Sequence, residues 1–172
     1  MAALEPDGSL QENPMATSAS QFAFETDFKD ALTALQSGDT ARAKRIYSAI
    51  LAQDGRNASA RVNMAAITLE EGRMVEVVEH CTAVLQEDPE HPIAREVLAE
   101  ANLRMANQAQ RPADFAQAAQ AIDDAIALAP ENRDLAARAA AILGRFATEA
   151  ERGGAHKDAE RYKQRGAALG AQ

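Results

Sequence analysis

The sequence predicts an all-α chain built from repeated helix pairs. Three observations predict it. The composition is rich in alanine and poor in glycine, proline and β-branched runs, which suits closely packed helices. Apolar residues recur at helical spacing and stop at Gly or Pro. A fixed offset of 34 residues carries one such stretch onto the next.

The chain has 172 residues, enough for a real core, with 47% hydrophobic and 26% charged residues. Residues 1–20 are polar and acidic, contain Pro6, Gly8 and Pro14, and show no apolar period. They read as a disordered leader, and residues 21–172 as the helical domain. In the first helix Phe24, Phe28, Ala31, Leu32 and Leu35 share one face, and Gly38 ends it. Ala43, Ile46, Tyr47, Ile50 and Leu51 form the second stripe, stopped by Gly55. Val62, Ala65, Ala66 and Leu69 form the third, stopped by Gly72. Val77, Cys81, Val84 and Leu85 form the fourth, with His80 as its polar member and Asp88-Pro89 as its stop. Pro92 opens the fifth helix, where its missing N–H costs nothing, and Ala94, Val97, Leu98, Ala101 and Met105 follow. The stretch 107–114 reads as a loop. Ala118, Ala121, Ile122, Ala125 and Ile126 mark the sixth helix, ended by Pro130. Leu135, Ala139, Ile142 and Phe146 mark the seventh, broken by Gly153-Gly154, and an eighth runs from Ala155 to about Leu169. These make eight helices in four pairs, over about 24–57, 58–91, 92–132 and 133–172.

Gly38 and Gly72 stand 34 positions apart, as do Leu51 and Leu85, and the stripe 43/46/47/50/51 maps onto 77/80/81/84/85 at the same offset. The third copy, 118/121/122/125/126, comes 41 residues after the second. The extra seven residues are either about two helical turns or a shorter extension plus the 107–113 loop.

A helix–turn–helix period of 34 resembles the tetratricopeptide repeat. The resemblance places the family's small residue of the first helix on Ala31, Ala65 and Ala99, and the inter-helix glycine on Gly38 and Gly72. The small residue of the second helix falls on Ala43, Val77 and Ala118, and its aromatic on Tyr47, Cys81 and Ile122. The family's large aromatic of the first helix is missing, since Asp27, Arg61 and Arg95 occupy those positions. The fourth unit reads as a polar cap. The resemblance implies a right-handed α-α superhelix whose first helices line a concave groove.

The formal net charge is −8, and six acids against one lysine fall within residues 1–30. An acidic chain without a basic stripe does not suit nucleic acid or an anionic membrane. No apolar run reaches the roughly 18 residues that span a bilayer. The N-terminus lacks the features of a secretory signal, and a single cysteine, Cys81, fits a reducing compartment. The expected location is the cytoplasm. His80 and Cys81 are adjacent and diverge on a helix, so no metal site is read there. No phosphate loop or nucleophile elbow occurs, so the expectation is no catalytic residue, no cofactor and no metal.

Binding is then the expected role. The resemblance implies a groove formed by Phe28, Leu32 and Leu35, then Val62, Asn63, Ala66 and Leu69, then Glu96, Glu100 and Leu103. That groove is apolar at one end and acidic at the other. It suits an extended peptide or amphipathic helix carrying Lys or Arg. The alternative reading of Phe28, Leu32 and Leu35 is packing of the first pair, or holding the leader. The family's carboxylate clamp is rejected, because Asn63 alone matches it. The function expected is an adaptor or scaffold. A small secretion-type chaperone, or the substrate-docking part of an enzyme such as a glycosyltransferase, stands as the alternative.

Overall fold

The computed structural model describes residues 14–170, with side chains from residue 25 onward. Among the described residues it holds eight α-helices and one 3₁₀ turn. The chain divides into two compact units, with the boundary between Met64 and Ala65, inside the third helix.

In the first unit α1 spans Pro14–Gln36 and α2 spans Thr40–Gln53. The helix takes in residues 14–20, which the sequence assigns to the leader, and Pro14 stands at its start where no N–H is needed. The rest of the expected leader, residues 1–13, lies outside the described residues. Gly38 adopts φ +79° and closes α1: its N–H reaches the Leu35 carbonyl at 3.0 Å, and the Asp39 N–H reaches that of Ala34 at 2.8 Å. This left-handed cap satisfies carbonyls that the helix end leaves open. Asp39 then caps α2 through the Arg42 N–H at 2.9 Å. Ala31 and Ala43 are fully buried, so the two helices approach closely, and Tyr47 and Ile50 fill the space beside them. Phe28 tilts onto Tyr47 with ring centroids 5.8 Å apart.

Helix α3, Ala58–Glu70, crosses the boundary. In the second unit follow α4 (Met74–Glu87), α5 (Pro92–Gln108), a 3₁₀ turn (Pro112–Asp114), α6 (Phe115–Leu128), α7 (Arg133–Arg152) and α8 (His156–Gly170). Gly72 and Gly154 repeat the turn of Gly38, with φ of +75° and +78°. The way each later pair begins is also repeated. Asn57 caps α3 through the Ala60 N–H at 3.0 Å, His91 caps α5 through Ala94 at 3.3 Å, and Asn132 caps α7 through Leu135 at 3.0 Å. The seven-residue excess of the third pair resolves into its second alternative. Helix α5 has 17 residues where α3 has 13, and a three-residue 3₁₀ turn supplies the remainder.

Two apolar clusters form in the second unit. The smaller joins α3, α4 and α5 through Ala65, Leu69, Val77, Cys81 and Ala101. The larger joins α5 to α8 and is centred on Ile122, Leu135, Leu143 and Phe146. Phe115 stacks on Phe146 with centroids 4.4 Å apart, and Tyr162 meets Phe146 edge-on at 5.8 Å. Such pairs add about 0.5–1.5 kcal/mol each beyond the area they bury. The fourth pair, which reads from sequence as a polar cap, is therefore anchored by an aromatic trio, while the rest of α8 keeps a largely exposed polar surface.

Arginines occupy the place of the missing aromatic. Arg61 Nε donates to the Gly55 carbonyl at 2.8 Å. Arg95 Nε donates to the Leu128 carbonyl at 3.0 Å, closing the C-terminus of α6, and Arg95 also pairs with Glu90. A cation on the last carbonyls of a helix is favourable both as a cap and against the helix dipole.

Candidate functional site

Each predicted groove residue has a definite place. Leu32 is exposed, Phe28 and Leu35 are half-buried, Ala66 and Glu96 are exposed, and Asn63 and Glu100 are half-buried. Asn63 donates through its side-chain nitrogen to the Ser59 carbonyl at 2.8 Å. Val62, Leu69 and Leu103 are buried. Leu69 belongs to the cluster of α3, α4 and α5, and Leu103 to that of α5 to α8. Both leucines pack helices: Leu69 is covered, and Leu103 meets the outside only at the wall of a small surface cavity.

The open part of the first-helix face in the second unit is polar. Glu100 on α5 is the centre of a chain of charges that runs from the end of α3 to α7. Arg104 Nε donates to Glu100 at 2.8 Å, and the same guanidinium reaches Glu70 at 3.0 Å and the Leu69 carbonyl at 3.0 Å. Arg138 grips Glu100 with two nitrogens, at 2.8 and 2.9 Å, and reaches Asp134 at 3.4 Å. Burial alone would raise the Glu100 pKa; hydrogen bonds and charge from Arg138 and Arg104 outweigh it and hold the carboxyl below its usual range. Hydrogen bonding to Glu100 raises both arginines in turn. Further along, Arg145 of α7 donates to the Ala109 carbonyl at 2.8 Å and the Asn107 carbonyl at 2.9 Å. A cavity of about 230 Å³ lies on this face, lined by Leu103, Arg104, Asn107, Arg138, Ala141 and Ile142.

This arrangement alters the acidic end of the expected groove. Glu100 already accepts from two arginines, so of the two predicted groove carboxylates Glu96, which is exposed, is the one left open to a partner. The sequence did contain a signal for the missed residues. Arg104 and Arg138 stand 34 apart, and each follows an acid by four positions, Glu100 and Asp134.

The side chains that could carry chemistry have structural places. Cys81 is fully buried, and burial pushes its thiol up to about 11, which keeps it protonated and unreactive near neutral pH. His91 caps α5 through Nδ1. Among the described residues no group of three or more His, Cys, Asp or Glu is placed to hold a metal ion. Among them too, no helix is long and apolar enough to cross a membrane.

No protein-family profile matches the chain, and no curated protein matches it. Solved structures do. A tetratricopeptide-repeat protein of Thermus thermophilus, TTC0263, is 17% identical, with 84% of this chain and 73% of that one covered at a TM-score of 0.52. The tetratricopeptide domain of Arabidopsis OM64 is 20% identical over 74% of this chain and 96% of that domain, also at 0.52. MamA from residue 41 onward, from Desulfovibrio magneticus RS-1, is 17% identical over 84% and 74%, again at 0.52. With the 34-residue period and the repeated glycine turns, these likenesses show the fold: the chain has the all-α helical-repeat fold of the tetratricopeptide-repeat structures it matches.

Proposed function

We propose that the chain is a non-catalytic protein-interaction module that takes a partner segment on the face of its first helices. The observation that carries this reading is the open stretch of α5 and α7. It combines a cavity of about 230 Å³, a buried apolar floor of Leu103 and Ile142, and polar walls of Arg104, Asn107 and Arg138. An apolar floor with polar rims is the ordinary chemistry of a peptide or amphipathic-helix site. Within the second unit exposed Glu96 supplies a site for a partner's Lys or Arg, and within the first unit exposed Leu32 is a separate apolar anchor. The roles that follow are those of an adaptor or scaffold, and a reducing compartment such as the cytoplasm suits the lone buried cysteine.

The test is affinity capture from a lysate of the source cells, followed by direct titration of the partner found. Wild type is compared with Leu32→Glu and with Arg138→Glu plus Ala141→Glu, all at exposed positions. The reading expects at least one of these surfaces to lose the partner by about tenfold or more while helical content is unchanged. Binding that survives both changes, or turnover of a small molecule by the purified chain, would sink it.

A further inference from the structure

We infer that Glu100 is a clasp that couples three successive helix pairs, so that the second and fourth pairs feel one another across the third. Helical-repeat arrays are ordinarily stabilised by each repeat and its immediate neighbours alone. The apolar part of the second unit obeys that rule. One cluster lies on the α3–α4 side of α5, through Ala101, and the other on the α6–α8 side, through Ala99, Leu103 and Ala106. Each charge contact also joins neighbouring pairs, but the charges, unlike the two clusters, run on from pair to pair without a break. From α3 to α7 the order is Glu70, Arg104, Glu100, Arg138, Asp134, alternating in sign without a gap.

Both arginines converge on one carboxylate. Arg104 Nε and Arg138 Nη2 each reach Glu100 Oε1 at 2.8 Å, and Arg138 Nη1 reaches Oε2 at 2.9 Å. Two guanidinium groups that share an acceptor repel each other, and a charged acceptor offsets that repulsion by attracting both. Each is tied outward as well: Arg104 to Glu70 and the Leu69 carbonyl at the end of α3, Arg138 to Asp134 on α7. A change at Glu70 therefore alters how Arg104 divides itself between α3 and Glu100, and so what Glu100 offers Arg138. The Glu100 side chain is only 20% exposed, which keeps its two pairs from full screening by solvent. The outer acids Glu70 and Asp134 are 75% and 80% exposed, so their share is the part that salt removes.

The clasp is tested by a mutant cycle between residues two pairs apart. Glu70→Gln, Arg138→Met and the double variant are unfolded with denaturant at low salt. A coupled ladder makes the two effects non-additive by about twofold or more in the unfolding equilibrium constant, the range for residues in one hydrogen-bonded network. The non-additivity should vanish when the cycle is repeated in Glu100→Gln, and shrink in about 1 M salt, where the screening length falls to about 3 Å. Hydrogen exchange gives a second readout that does not need a two-state transition. In Arg138→Met, amides of the Gly72 turn after α3 should lose protection, while the exposed-pair control Arg161→Met leaves them unchanged. Additive effects at low salt, or an unaltered Gly72 turn in Arg138→Met, would overturn the proposal.

Discussion

Cys81 shows how a reactive residue type becomes a packing residue. It stands 34 positions after Tyr47 and takes the same buried place. A thiol there has little access to reagent, and desolvation suppresses its thiolate. An aromatic disulfide reagent at pH 8 should therefore label native protein at least about a hundredfold more slowly than protein in denaturant. Equal rates would show that the α4 core opens readily. The sign for pH follows from the raised thiol: its folded pKa, about 11, lies above its ordinary 9.0, so the stability it confers is complete below 9.0 and lost as pH rises towards 11. Tyr47 is also raised by burial and acts in the same direction. His91 teaches a related lesson. Its Nδ1 accepts the Ala94 N–H and so serves as a helix cap.

The element scale is set by the turns. Gly38, Gly72 and Gly154 all sit in the left-handed region, where a Cβ clashes with the following carbonyl, although none of the three has a neighbouring atom within 4 Å of the added carbon. The cost of substitution is thus backbone strain alone. Gly72→Ala should lower stability by about 1 kcal/mol, and a β-branched residue by more. Thermal unfolding checks this, with Gly144→Ala as the reference. Gly144 is an exposed helical glycine with open space around it, so the exchange to alanine should stabilise by up to about 1 kcal/mol. The same scale explains the arginines in place of the expected aromatic. Arg95 reaches the last carbonyls of α6 with two nitrogens and closes a helix end, and it brings a positive charge there that no aromatic carries.

For the second unit as a body, acid is the informative variable. The Glu100 carboxyl is depressed, so the stability it confers is present above its unfolded pKa and lost as pH falls through the folded value. Wild type should weaken below about pH 4.5 more steeply than Glu100→Gln, which lacks the titrating group but keeps one acceptor oxygen. Parallel curves would mean that the two arginines contribute nothing through this carboxylate.

Everything that repeats locally is written in the residues themselves. Stripe spacing, glycine turns and the 34-residue period place the helices, because each repeat must bury the same small and large residues against its neighbour. Ala31, Ala65 and Ala99 are all fully buried, as are Tyr47, Cys81 and Ile122. The site was legible only in part. The spacing put Leu69 and Leu103 on the first-helix face, and they do lie on those helices, but packing covers both. The residue next in the series, Ala137, is small and exposed. A helical period gives a residue's angle about its own axis. It does not say which neighbour covers that angle, and that decision belongs to the tertiary structure. The same holds for Glu100. Its bond to Arg104 is local and readable, whereas its bidentate bond to Arg138 joins residues 38 apart and exists only because α5 and α7 lie side by side.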